Sequence, residues 1–122
     1  MNYEMRNYDE AVKKAQRLGK KIVKPRDNEL LLDIDSAEQY KIYKSRVGEL
    51  SKLHKVVGTK DISSSEKLWH RHIYISLDCD IENEERVFLQ LFLGSDPIRE
   101  YLSLCLIRIG DPHPILLFED KK

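Results

Sequence analysis

The order of apolar and polar segments predicts an α+β protein with a βαββαβ core and a four-stranded sheet. A short apolar strand, Leu30–Ile34, precedes a helix that begins after Ser36, and a second strongly β-type run covers Leu68–Leu77. Further helical patterns and a last short strand complete the order. At 122 residues the chain has the size of one domain. We predict a basic helix and connector over residues 1–27 and the sheet unit over residues 28–122.

Caps and stops set the boundaries of the predicted elements. Gly19 ends the first helix, and Ser36 with Gln39 three residues later forms a capping box for the second. Asp96 and Pro97 form an N-cap and first-turn pair for the last helix, although the apolar residues that follow also fit a strand. The remaining predicted elements are the helix Tyr8–Leu18, the connector Lys20–Asp27, the strand Val56–Ile62, the helix Glu84–Leu93 and the strand Ile115–Phe118.

Two strands of the predicted sheet place acids and histidines on one face. Side chains alternate along a strand, so Asp33 and Asp35 point to the face opposite Leu30, Leu32 and Ile34. In a ferredoxin-like or RRM-like arrangement, with the helices on one face, the first and third strands are antiparallel neighbours. The end of the first strand then lies beside His70 and His72. Two carboxylates at this position suit a divalent cation, and solvated strand-end acids are the alternative.

The net charge of zero conceals two halves of opposite charge. Residues 1–60 carry 14 Lys/Arg against 9 Asp/Glu, whereas residues 61–122 carry 7 against 12. The stretch Lys13–Arg26 holds seven basic residues and no acid. Such a run can follow a phosphate backbone, and a solvated helix face is the alternative.

Composition excludes several classes of protein. No run approaches the roughly 18 apolar residues of a membrane span, and the N-terminal segment is too polar for a secretory signal. The two cysteines, Cys79 and Cys105, lack metal-ligand spacing. We expect a cytoplasmic protein with reduced thiols and no membrane partner.

Two short motifs resemble those of the archaeo-eukaryotic primase superfamily. The segment LLDID at residues 31–35 is similar to the family's first motif, a hydrophobic strand that ends in Asp-x-Asp. The segment WHRHIYI at residues 69–75 is similar to its second motif, with His72 at the histidine and His70 at the small-residue position. The resemblance implies a minimal catalytic core of a primase-polymerase.

The resemblance also implies a metal site. Asp33 and Asp35 would hold two Mg²⁺ or Mn²⁺ ions together with a third acid that follows a hydrophobic residue. Glu119, preceded by a phenylalanine, is the residue assigned to this motif, and Asp111 and Asp96 are the alternatives. The catalytic set would be Asp33, Asp35 and His72.

The implied ligands are nucleoside triphosphates and single-stranded DNA. His72 would contact the triphosphate of the incoming nucleotide, and the basic run Lys13–Arg26 would hold the template. A helicase or another replication protein is the further partner that such a role implies. The predicted nucleotide-binding residues are His70, Arg71, His72 and Lys67, with Lys60 as a further candidate for phosphate contact.

Two other functions fit parts of the same pattern. The His-x-His of residues 70–72 resembles rolling-circle nicking enzymes, in which such a pair binds metal and a helical tyrosine, here Tyr101, attacks the phosphodiester. A non-catalytic RRM-like module that binds nucleic acid or replication proteins is the other alternative. Such binders normally carry stacking aromatic residues on both central strands, and Leu30–Ile34 offers only aliphatic and acidic residues.

Overall fold

The computed structural model describes residues 8–63 and 69–120, and it confirms the α+β class. Within these residues, none of the helices is long and apolar enough to cross a membrane. The helices are α1 (Tyr8–Leu18), α2 (Ala37–Leu53), α3 (Asn83–Phe92) and α4 (Pro97–Arg108), and the strands are β1 (Lys20–Val23), β2 (Glu29–Ile34), β3 (Val56–Ser63), β4 (Arg71–Leu77) and β5 (Leu117–Asp120).

The two strands that carry the predicted site are neighbours. The main sheet has the strand order β2-β4-β3, and both pairs are antiparallel. In the register of β2 with β4, Asp33 lies opposite His72. The predicted side-by-side placement of these strands is therefore confirmed. The segment after Pro97, for which a strand was the alternative, is the helix α4.

The prediction of one four-stranded sheet is wrong. The last strand, β5, pairs with β1 in a separate antiparallel sheet of two strands, from Lys20 opposite Asp120 to Val23 opposite Leu117. The segment Lys20–Asp27, predicted as a connector, thus begins with a strand. Its Ile22 and Val23 are β-branched, which favours a strand. The lysines around them make the segment look like a polar connector.

Side chains occupy the edge of β2 where a fourth strand would pair. The Leu31 N–H donates to Gln90 Oε1 over 2.8 Å, and Arg99 Nη1 donates to the Leu31 carbonyl oxygen over 2.6 Å. Two residues further along β2, the Asp33 N–H donates to Ser95 Oγ over 2.9 Å. Because buried backbone groups must be paired, these contacts substitute for a strand partner.

Glu100 connects the side chains that cap this edge. Its Oε1 accepts a hydrogen bond from Gln90 Nε2, and its Oε2 accepts from Ser95 Oγ and Arg99 Nη1, each over 2.7 Å. Glu100 is only 1 % exposed. Burial raises the pKa of Glu100 despite the opposing charge of Arg99 and these hydrogen bonds. We call Gln90, Ser95, Arg99 and Glu100 the polar clamp.

The hydrophobic core lies on one face of the main sheet, as the alternation of residues predicts. Side chains of β2 and β4 pack there against α2 and α3. The opposite face of the two strands carries the acids and histidines. The core residues from the two strands are Leu30, Leu32, Ile34, Ile73, Ile75 and Leu77, joined by Tyr43 and Leu50 of α2 and by Leu89 of α3.

Replacing Gln90 by leucine tests the polar clamp. Gln90→Leu leaves the Leu31 N–H and one Glu100 oxygen buried without a partner, so we expect a loss of about 2–4 kcal/mol in the free energy of unfolding. Urea denaturation measures it. Gln16→Leu, on the exposed side of α1, is the matched control and should change stability by less than about 0.5 kcal/mol. Equal stability of the two variants would contradict the role of the clamp.

Candidate functional site

The predicted acids and histidines meet at the end of β2. The His70 Nε2 atom lies 3.3 Å from Asp33 Oδ1 and 3.3 Å from Asp35 Oδ1. The His72 Nε2 atom lies 3.6 Å from the same Asp33 oxygen. The antiparallel register of β2 and β4 produces this cluster, because it sets the end of one strand beside the start of the other. Their predicted proximity is confirmed.

Glu119 of β5 contacts the other side of His72. The His72 Nδ1 atom lies 2.8 Å from Glu119 Oε1, and the Tyr74 hydroxyl donates a hydrogen bond to the same oxygen. His72 and Glu119 are both buried. The imidazole of His72 therefore lies between two carboxylates, with one ring nitrogen facing Asp33 and the other facing Glu119.

The electrostatics of the cluster favour opposite charges on Asp33 and His72. Burial raises the pKa of Asp33, but hydrogen bonds with His70 and His72 and the charge of Arg99 outweigh burial and hold this pKa well below its usual range. Burial lowers the pKa of His72, and the carboxylates of Asp33 and Glu119 overcome that effect and raise it. Without metal, the contacts with Asp33 and Glu119 thus favour the protonated form of His72.

Asp96 is the acid that joins Asp33 and Asp35 at this site. Its backbone N–H donates to the Asp33 carbonyl oxygen over 2.9 Å, and its carboxylate caps α4 by accepting from the Ile98 N–H. Within the described residues, one ligand oxygen of each of these three acids lies within 4.8 Å of the others. Three clustered carboxylates form an oxygen-rich donor set that suits Mg²⁺ or Mn²⁺.

A second group of potential ligands shares Asp33 with the first. One ligand atom each of Asp33, His70 and His72 lies within 4.8 Å of the others. Among the residues that the structure describes, Glu119 belongs to neither group and instead contacts His72. The remaining candidate, Asp111, accepts a hydrogen bond from the His113 N–H in the turn after α4.

A cleft of about 860 Å³ opens next to the histidines. Both sheets contribute to its walls, which include His70, His72, Tyr74 and Phe118. Cations outnumber the acids Glu29, Glu119 and Asp120 in its lining, so the cleft favours an anionic ligand. The lining cations are Lys20, Lys21, Lys24 and Arg26 from the predicted basic run, with Lys60 and Arg71 from the main sheet.

The structure describes two of the three predicted phosphate-binding cations, Arg71 and Lys60. Arg71 donates to Asp61 Oδ2 over 2.9 Å, and its guanidinium lies 4.3 Å from the ring centre of Tyr40. These two contacts hold the Arg71 guanidinium in place where it lines the cleft. Lys60 also lines the cleft. Lys67 lies outside the described residues.

Tyr101, the candidate nucleophile of the nicking-enzyme alternative, is 62 % exposed on α4. Within the described part of the chain, it is not among the residues that line the cleft. A hydrogen bond with Cys105 raises the pKa of Tyr101, which disfavours the phenolate that an attacking tyrosine needs.

The sequence did not reveal the polar clamp or the contact between Glu119 and His72. The clamp had no clear local signal, because the apolar residues of α3 include the exposed Phe88 and Leu91, whereas Gln90 and Glu100 are buried. The contact of Glu119 had no local signal, since it depends on which strand β5 pairs with.

Comparison with known proteins yields no match: no protein-family model, curated protein or solved structure is similar to this chain. Membership of the primase superfamily therefore stays a prediction. It rests on the motifs at residues 31–35 and 69–75.

The charge of His72 predicts a pH-dependent stability of the metal-free protein. Because its folded-state pKa is raised above the ordinary 6.5, the stabilisation is fully present below that value and is lost as the pH rises through the raised pKa. The stability advantage of the wild type over His72→Gln should therefore shrink from about pH 6 to about pH 8. Urea denaturation with a chelator present measures it. An advantage that grows with pH would contradict this assignment.

Proposed function

We propose that this protein is a metal-dependent nucleotidyltransferase of the primase-polymerase type. The observation that supports it best is the approach of Asp33, Asp35 and Asp96 to within 4.8 Å beside the cationic cleft. An acidic cluster suits divalent ions, and the adjoining cations suit the phosphates of a nucleotide or a DNA strand. Neither feature alone would favour this chemistry over simple binding.

The donor set fits the divalent ions that the reaction requires. Asp33 and Asp35 would hold Mg²⁺ or Mn²⁺ with Asp96 as the third acid, and Glu119 remains the alternative. When bound, such ions supply activation of the attacking 3′-hydroxyl and charge neutralisation at the leaving pyrophosphate. The chain itself keeps Asp33 anionic through its contacts with the two histidines.

The cleft residues would bind and orient the anionic substrates. Lys60 and the fixed guanidinium of Arg71 lie on the main-sheet side, where a triphosphate beside the metal site would extend. Lys20, Lys21 and Lys24 line the other wall and would contact the phosphates of a single-stranded template. We place this activity in the cytoplasm, with a helicase or another replication protein as a further partner.

Primer extension with labelled nucleotides tests the proposed reaction. Asp33→Asn and Asp35→Asn should each lower nucleotide incorporation by at least about 100-fold, because each removes a negatively charged ligand oxygen. Asp78→Asn removes an exposed carboxylate at the opposite end of β4 and should leave the rate unchanged. Incorporation that survives both ligand substitutions would overturn the proposal. DNA binding without incorporation under either metal would favour the binding-module alternative.

Two further substitutions identify the third acid. Asp96→Asn keeps the N-cap of α4, because asparagine also accepts from the helix N-terminus, while it removes the carboxylate charge. Glu119→Gln keeps an oxygen that can face His72. Calorimetric titration with Mn²⁺ should show weaker binding by Asp96→Asn than by Glu119→Gln. The reverse order would assign the third position to Glu119.

The histidines beside Asp33 predict a preference for Mn²⁺ over Mg²⁺. Imidazole nitrogen is a better ligand for first-row transition metals than for Mg²⁺, which prefers oxygen. Calorimetry should give a Kd for Mn²⁺ at least about tenfold below that for Mg²⁺. His70→Asn should reduce this ratio, and His113→Asn, a change outside both ligand groups, should preserve it. An unchanged ratio in His70→Asn would show that His70 is not a ligand.

A further inference from the structure

We propose that Cys79 is an activated nucleophilic thiol, with His54 as its base and Glu85 as the residue that orients the base. These residues lie at the end of β4 opposite His70 and His72, and the inference does not rest on the proposed nucleotidyl transfer. His54 is the C-cap of α2, Cys79 follows β4, and Glu85 lies in the first turn of α3. Three separate elements therefore converge on one imidazole.

The two ring nitrogens of His54 face different partners. The Cys79 Sγ atom lies 3.6 Å from Nδ1, and Glu85 Oε1 lies 3.4 Å from Nε2. When the ring proton of His54 is on Nε2, the nitrogen nearer Glu85, the Nδ1 lone pair faces the thiol. A nucleophile, a base and an orienting carboxylate in this order form the arrangement that activates cysteine and serine nucleophiles.

Backbone hydrogen bonds hold the parts of this arrangement in place. The His54 N–H donates to the Leu50 carbonyl oxygen over 2.9 Å and closes the last turn of α2. The Asp78 N–H donates to the Lys55 carbonyl oxygen over 3.0 Å, which ties the residue before Cys79 to the residue after His54. The backbone segments that carry the thiol and the imidazole are thus held next to each other.

Accessibility distinguishes Cys79 from Cys105. Asp78 and Asp80 flank Cys79 in the sequence, and the imidazole of His54 is the basic group that contacts its sulfur. Cys79 is exposed, whereas Cys105 on α4 is partly buried, so reagents reach Cys79 more readily.

The chemistry that this site supports is exchange with a small disulfide. The Cys79 thiol transfers its proton to His54 Nδ1, and the thiolate attacks one sulfur of the disulfide. A new S–S bond forms as the old one breaks, and the departing thiolate takes the proton from His54. The products are a mixed disulfide at Cys79 and one small thiol. No further oxidant is needed.

Thiol reactivity in the folded wild-type chain tests the proposal. The protein is exposed to oxidised glutathione, or to iodoacetamide as a second electrophile, and peptide mass mapping gives separate rates for Cys79 and Cys105. We expect Cys79 to react at least about tenfold faster, and His54→Asn to slow Cys79 by about tenfold. The Cys105 rate in the same sample reports on folding and should not change.

Charge-matched variants separate orientation from local electrostatics. Glu85→Gln should slow Cys79 severalfold because it replaces the carboxylate that faces His54 Nε2 with a neutral amide. Glu84→Gln removes the same charge from an exposed neighbour in the same helical turn and should change the rate little. A Cys79 rate within about twofold of the wild type in His54→Asn, with an unchanged Cys105 rate, would overturn the proposal. If Glu84→Gln and Glu85→Gln slowed Cys79 equally, Glu85 would act only through its charge. That result would overturn its orienting role.

Discussion

The outer edge of β2 imposes the constraint on which much of this fold depends. A buried strand edge must find a partner for each outward-facing N–H and carbonyl group. Here the polar clamp supplies those partners for Leu31 and Asp33. Because side chains of α3 and α4 and the loop between them occupy the edge, β5 cannot pair there. It pairs with β1 instead, and the two sheets enclose a cleft that a single four-stranded sheet would not form.

The same constraint assembles the acidic cluster. The clamp residue Ser95 fixes the Asp33 N–H, and the next residue, Asp96, fixes the Asp33 carbonyl oxygen. That backbone contact brings the Asp96 carboxylate close to the carboxylates of Asp33 and Asp35. Holding like charges together is costly, and His70 and His72 offset part of the cost. The edge of the sheet and the candidate site are therefore parts of one hydrogen-bonded structure.

The sequence predicted the parts of this structure that depend on local pattern. Alternation along Leu30–Ile34 and the order of strands were enough to place Asp33 near His72, because register follows from which face is buried. Caps placed the start of α2 and α4. The partner of β5 could not be predicted from local pattern. It pairs with β1, because side chains of the polar clamp already occupy the free edge of β2. The contact between Glu119 and His72 follows from that pairing.

The position of the acidic cluster next to the cationic cleft restricts the ligand that could use both. A bare polyphosphate would be attracted by Lys60 and the lysines of β1 but repelled by Asp33 and Asp35. A free divalent cation would have the opposite preferences. A polyphosphate that carries its own divalent ion satisfies both regions at once, because the ion takes oxygen ligands from the phosphates and from the carboxylates. The charge pattern thus suits a metal-bound polyphosphate better than either component alone, and the polar clamp contributes to that pattern by holding Asp33 at the junction.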